Sequence, residues 1–96
     1  MAIMVLLEGK AKAEMVTLKA TLPKLFPDTR AYEGCRGITA YINSYDSHTF
    51  VFVEYWETKA LYERYLAWRT ETGVIAGLVS MSEAPPSIRY FDQIDA

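Results

Sequence analysis

Histidine and cysteine are the scarcest chemistry in this 96-residue chain: one of each, His48 and Cys35. A lone cysteine closes no intramolecular disulfide and builds no cysteine-based structural zinc site. A lone histidine rules out a two-histidine metal site and a histidine acid–base pair within one chain. No metal site is expected. Basic excess is missing too. Lys plus Arg number 10 against 12 Asp plus Glu, for a net charge of −2 and a pI near 5.3. That is the wrong sign for neutralising phosphates, so nucleic acid is not an expected partner. No apolar run approaches the roughly 20 residues that cross a bilayer. The briefly apolar start, MAIMVLLEGKAKAEM, lacks the leading cationic segment and small-residue cleavage site of a signal peptide. These absences point to a cytoplasmic setting with no membrane. Repeats, low-complexity tracts and long linkers are absent as well. What is there is 51% hydrophobic and 23% charged, the composition of a single folded domain over residues 1–96.

The hydrophobic pattern divides the chain into short elements. Residues 4–8, MVLLE, form a β-type run ended by Gly9. Met15, Leu18, Leu22 and Phe26 then recur at helical spacing, with Glu14, Thr17, Thr21 and Lys24 opposite. Pro23 is expected to kink or end this helix, and Pro27-Asp28 to mark its exit turn. Gly34 precedes a strand over residues 35–45. A polar turn at residues 44–48 leads at once into Thr49–Trp56, so these two strands form an antiparallel hairpin. Thr58 caps a second helix, and Gly73 ends it. Residues 74–81 are short and apolar, either an extra turn of helix or a packed loop. Pro85-Pro86 resets the chain before a last strand at 87–91. The order β-α-β-β-α-β, with right-handed crossovers, predicts an α+β, ferredoxin-like fold. Both helices then lie on one face of a four-stranded antiparallel sheet.

Alternation places Val51, Val53 and Tyr55 on one face of the third strand and Phe50, Phe52 and Trp56 on the other. Both sets are apolar, and helices cover only one face. An uncovered face of this kind predicts a homodimer with sheets packed face to face.

On the wheel of the second helix, Leu61, Tyr62, Tyr65, Leu66, Trp68 and Arg69 share a side. Arg69 falls amid aromatics. Its guanidinium must snorkel out, pair with a carboxylate such as Glu54, or face a cavity. The tyrosines and Trp56 have two readings: core packing, or the walls of a site for a planar aromatic ligand. His48 reads as a surface turn residue and Cys35 as a small buried or half-buried one. Gly34-x-x-Gly37 is not a phosphate loop.

Two stretches carry a family resemblance. FPDTRAYEGCRG (residues 26–37) is similar to the helix-exit segment of the antibiotic biosynthesis monooxygenase family, through Thr29, Arg30, Glu33, Gly34 and Cys35. EYWETKALYERYL (residues 54–66) resembles the family's Glu-x-Trp strand end and following helix. The resemblance implies a dimeric α/β barrel. It also implies cofactor-independent oxidation of a quinol or polyphenolic aromatic by molecular oxygen, with no cofactor. Tyr62, Tyr65 and Arg69 become the candidate catalytic residues, and Phe52, Trp56 and Trp68 the candidate substrate-binding rings. Trp56 is expected to stack on the ring or donate from its indole nitrogen. Many members carry a histidine nine positions after the tryptophan; Tyr65 stands there. A further histidine near the helix end is absent, with Thr70 in that region, and the first strand lacks the asparagine of the haem-degrading branch. Histidine-ligated haem is therefore not expected. The alternative to an enzyme is a non-catalytic dimer that binds a small aromatic ligand or serves in stress.

Overall fold

The computed structural model describes residues 2–12 and 16–96. Its elements are β1 (Ile3–Lys10), α1 (Val16–Ala31), β2 (Cys35–Ile42), β3 (Thr49–Trp56), α2 (Lys59–Glu71), α3 (Val74–Ser80) and β4 (Ser87–Asp92). The strands form one antiparallel sheet in the order β2-β3-β1-β4. This is the expected ferredoxin-like arrangement with one helix added. No helix is long and apolar enough to cross a membrane among the described residues.

The first helix departs from expectation. It does not end or break at Pro23, and Pro27-Asp28 is not its exit; α1 runs through both prolines to Ala31. Both prolines, four residues apart, lie on the exposed side. There, water can take the carbonyls that their missing N–H groups leave free. The opposite side holds the helix down: Leu18 and Phe26 are buried, and Leu22 and Leu25 pack against the same cluster. Met15, the first residue of the expected apolar stripe, lies outside the described residues. The exit comes later. Gly34 adopts φ +91°, and a Cβ there would sit 2.7 Å from the Leu61 side chain. Only glycine combines that conformation with that closeness.

The segment after Gly73 is a helix rather than a loop. Gly73 takes φ +83°, ending α2 and starting α3. Leu78 enters the core, and the Ser82 hydroxyl donates to the Leu78 carbonyl at 2.8 Å. A bridge between Ala11 and Ser82 ties this segment back to the end of β1.

The helices cover the face that carries Phe50, Phe52, Glu54 and Trp56 from β3, with Val5 and Leu7 from β1. Phe26 meets Phe52 edge-on at 5.4 Å, a geometry favoured by the ring quadrupoles. The other face is open. Val51 and Val53 are half-buried, while Tyr41 is 54%, Tyr55 49% and Phe91 41% exposed. Register aligns this second set across the strands: Leu6 lies opposite Val53, and Met4 opposite both Tyr55 and Phe91. Glu8 and Arg89 meet there at 2.9 Å.

Candidate active site

The site grows from α2. Thr58 accepts from the Leu61 amide at 3.1 Å and fixes where the helix starts. From that start, Tyr62, Tyr65 and Arg69 fall on the buried stripe. Arg69 is 4% exposed. Its Nη2 donates to the Leu25 carbonyl at 2.7 Å and to Thr29 Oγ1 at 2.9 Å, and its Nε donates to the Tyr65 hydroxyl at 3.1 Å. Thr29 Oγ1 and the Tyr65 hydroxyl are themselves 2.7 Å apart. The guanidinium also lies 4.5 Å from the Trp68 ring centroid. Every one of these partners is neutral. The expected pairing with Glu54 does not form; among the described residues no carboxylate lies within ion-pair distance of Arg69. Its geometric cause is plain: the guanidinium turns toward α1, whose Leu25 carbonyl and Thr29 hydroxyl capture it. The charge is therefore buried and spread over dipoles, which leaves it free to attract an anion.

Glu54 sits across from it on β3. It is 2% exposed, and its Oε1 accepts from the Trp56 indole at 3.1 Å. Burial raises its pKa to about 7, and the indole hydrogen bond opposes this only in part. Burial also lifts Tyr62 far above the usual phenol range, with the Glu54 charge adding to it. Tyr65 is raised by burial against the pull of its Thr29 and Arg69 hydrogen bonds. Both phenols thus stay protonated near neutrality, as donors rather than bases. Cys35 is pushed up by burial as well, away from thiolate chemistry.

Thr29, Glu54, Tyr62, Tyr65 and Arg69 line a cavity of about 220 Å³ between the sheet and the three helices. Its walls are apolar: Leu7, Ile38 and Phe52 from the sheet, Leu22 and Phe26 from α1, Ile75 and Leu78 from α3. Its polar groups are Thr21, Thr29, Glu54, Tyr62, Tyr65 and Arg69. Of the residues proposed from sequence, Phe52, Tyr62, Tyr65 and Arg69 come together here. Trp56 and Trp68 do not line it. Trp56 is fully buried behind Tyr62 and Tyr65, with ring centroids 5.5 and 4.8 Å away, and its indole N–H is spent on Glu54. Trp68 stacks on Tyr32 at 5.4 Å, outside the cavity. Sequence reasoning missed Thr29 and the walls from α1 and α3, and weighed Glu54 only as a partner for Arg69. Parity was the available signal: Glu54 is the one charged residue in the alternate set Phe50, Phe52, Glu54, Trp56. His48 is remote, on the hairpin turn, with Nδ1 3.1 Å from the Ala11 carbonyl. Among the described residues, no three His, Cys, Asp or Glu side chains converge as metal ligands do.

Several solved structures share this architecture. A conserved protein from Methanosarcina mazei Go1 matches with a TM-score of 0.84 at 19% identity, over 97% of this chain and 93% of that one. A protein described as an antibiotic biosynthesis monooxygenase matches with a TM-score of 0.83 at 19% identity, over 97% and 99%. SnoaB, a cofactor-independent oxygenase from Streptomyces nogalater, matches with a TM-score of 0.84 at 10% identity, over 99% and 95%. At such identities the likeness is one of fold. No curated protein sequence matches the chain. The family described as antibiotic biosynthesis monooxygenase matches residues 3–71. That span takes in both quoted motifs, the arginine cluster and the sheet floor of the cavity, and this chain belongs to that family.

Proposed function

We propose that this protein is a cofactor-independent monooxygenase that oxidises a quinol or polyphenol with molecular oxygen and works as a homodimer. The observation that carries this reading is Arg69: a buried cation with no carboxylate partner among the described residues, at the wall of an apolar cavity. Such a charge favours the phenolate over the phenol, since a permanent guanidinium charge in a low-dielectric pocket stabilises an anion strongly. The description of SnoaB as a cofactor-independent oxygenase supports the reaction type. The phenolate passes one electron to oxygen. The substrate radical and superoxide join through a new carbon–oxygen bond, giving a peroxide. Loss of water from that peroxide, with the proton from the same ring carbon, leaves the quinone carbonyl. The sum is phenol plus oxygen to quinone plus water. Tyr62 and Tyr65, both protonated, are suited to donate hydrogen bonds to the peroxide oxygens. The apolar walls orient the ring and exclude water.

The open sheet face supports the dimer. A second copy packed on it would cover Val51, Val53 and Tyr55 in an interface above about 2,000 Å².

Oxygen uptake tests the reaction, with a panel of quinols and hydroxyanthrones. One oxygen consumed per quinone formed is the expected result, and Arg69→Leu should lower kcat/KM about a hundredfold. Uptake no faster than autoxidation across the panel would sink the enzyme reading. Ligand binding without uptake would make the protein a small-ligand-binding dimer instead.

A further inference from the structure

We propose that Glu54 is the proton acceptor of this cavity, and that the cavity takes a one- or two-ring phenol docked with its hydroxyl on Glu54 Oε2. The catalytic half rests on the oxygenase reading; the binding half does not. Arg69, Thr29 and Tyr65 partner one another. Glu54 Oε2 and the Tyr62 hydroxyl have no hydrogen-bond partner among the described residues. Among the described residues, no unpartnered side-chain nitrogen or oxygen is sealed completely within protein, so neither of these two oxygens is. Both residues are almost wholly hidden from bulk solvent, at 2% and 1% exposure. Their free oxygens therefore open onto the cavity that both residues line. An otherwise apolar pocket thus offers an acceptor from the sheet and a donor from α2, which suits a hydroxyl group on a flat ring.

Volume sets the size of that ring system. A cavity of about 150 Å³ holds benzene, whereas pockets for drug-sized ligands run to about 300–1,000 Å³. At about 220 Å³, one or two fused rings fit and a longer polycycle does not.

The proton balance follows from charge. With Glu54 ionised, the cavity holds one positive and one negative group. Moving the phenolic proton to Glu54 breaks the phenol O–H bond, forms a carboxyl O–H bond and shifts the negative charge onto the substrate. The cavity's net charge is unchanged. The titratable and charged groups around Glu54 do not compete for this role. Tyr62 and Tyr65 from α2 are held protonated and Cys35 from β2 is pushed up, while the guanidinium groups of Arg69 from α2 and Arg30 from α1 are hydrogen-bond donors only. Glu54 itself titrates at about 7, where a general base works best.

Calorimetric titration with naphthol tests this. Naphthol affinity should rise roughly tenfold from about pH 6 to about pH 8, as the carboxylate forms. Methoxynaphthalene, which has no hydroxyl to donate, should bind with no such rise. Glu54→Gln should bind naphthol with a flat profile. A three-ring anthrol should bind at least about tenfold more weakly than naphthol. A flat naphthol profile in the native protein, or the same rise with the methyl ether, would overturn the Glu54 assignment. Anthrol binding as tightly as naphthol would overturn the ring limit. If Glu54→Gln does not fold, the two ligands on the native protein still decide the matter. A pH-linked naphthol site without oxygen uptake removes the oxygenase reading and keeps this one. Oxygen uptake with pH-independent binding does the reverse.

Discussion

The two faces of the sheet are built from the same strands with nearly the same hydropathy, and they meet opposite fates. On β3 the covered set is Phe50, Phe52, Glu54 and Trp56, and the open set is Val51, Val53 and Tyr55. The covered face tolerates a buried carboxylate because helices arch over a cavity there rather than packing flush. The open face carries no such cavity-lining charge; among the described residues, Glu8 pairs with Arg89 at 2.9 Å and Lys10 with Asp46 at 3.5 Å. Hydropathy thus states that a surface needs cover. What covers it, and whether the cover leaves a gap, is decided by the elements above it.

Substitutions on either face put that contrast under strain. The largest effect should come from the open face. Val53→Asp, opposite Leu6 and Thr39, should abolish the proposed dimer and drive aggregation or unfolding. A native protein that sediments as a stable monomer at micromolar concentration would remove the reason for that expectation. On the covered face, Trp56→Ala should cost about 3–5 kcal/mol in urea unfolding, since a fully buried ring is lost and Glu54 loses its indole partner. A loss below about 1 kcal/mol would contradict the packing described.

The next effect is in pH. Glu54 has a pKa raised from an ordinary 4.5 to about 7. Between these values the folded state holds a proton that the unfolded state has released. Stability should therefore fall as pH rises through that window, by on the order of 3 kcal/mol, and level off above it. Glu54→Gln should remove this slope from the melting temperature. The same slope in that variant would assign it to another group. Smallest is Tyr65→Phe. It deletes one hydroxyl and leaves Thr29 and the Arg69 Nε short of a partner, for about 1–3 kcal/mol. An unchanged urea midpoint would mean that the cluster is not maintained in solution.

Strands, caps and the β-α-β-β-α-β order were legible because each leaves a local mark: alternation in β3, Thr58 before α2, glycines at 34 and 73. The prolines of α1 misled because their effect depends on which side of the helix they occupy. Sequence fixes that side only once the buried stripe is known. Seven residues of α3 span too few turns for periodicity to separate helix from loop. In the site, Tyr62, Tyr65 and Arg69 were readable from the helical wheel. Trp56 and Trp68 were not, because their distance from the cavity depends on Tyr62, Tyr65 and Tyr32 standing in between. Thr29 belongs to α1 and reaches the site across 40 residues, a separation that no local pattern spans.

The pair formed by Glu8 and Arg89 bears on self-recognition. Two identical surfaces brought together about a twofold axis place like charges near like charges, and a surface with a net charge repels its own copy. Here the acid and the base lie on neighbouring strands and satisfy each other at 2.9 Å. In the proposed dimer, this pair would meet its own copy with its charges already balanced. The pair would need no countercharge from the second copy, and the match of the proposed interface would rest on the fit of apolar groups such as Leu6, Val51, Val53 and Tyr55.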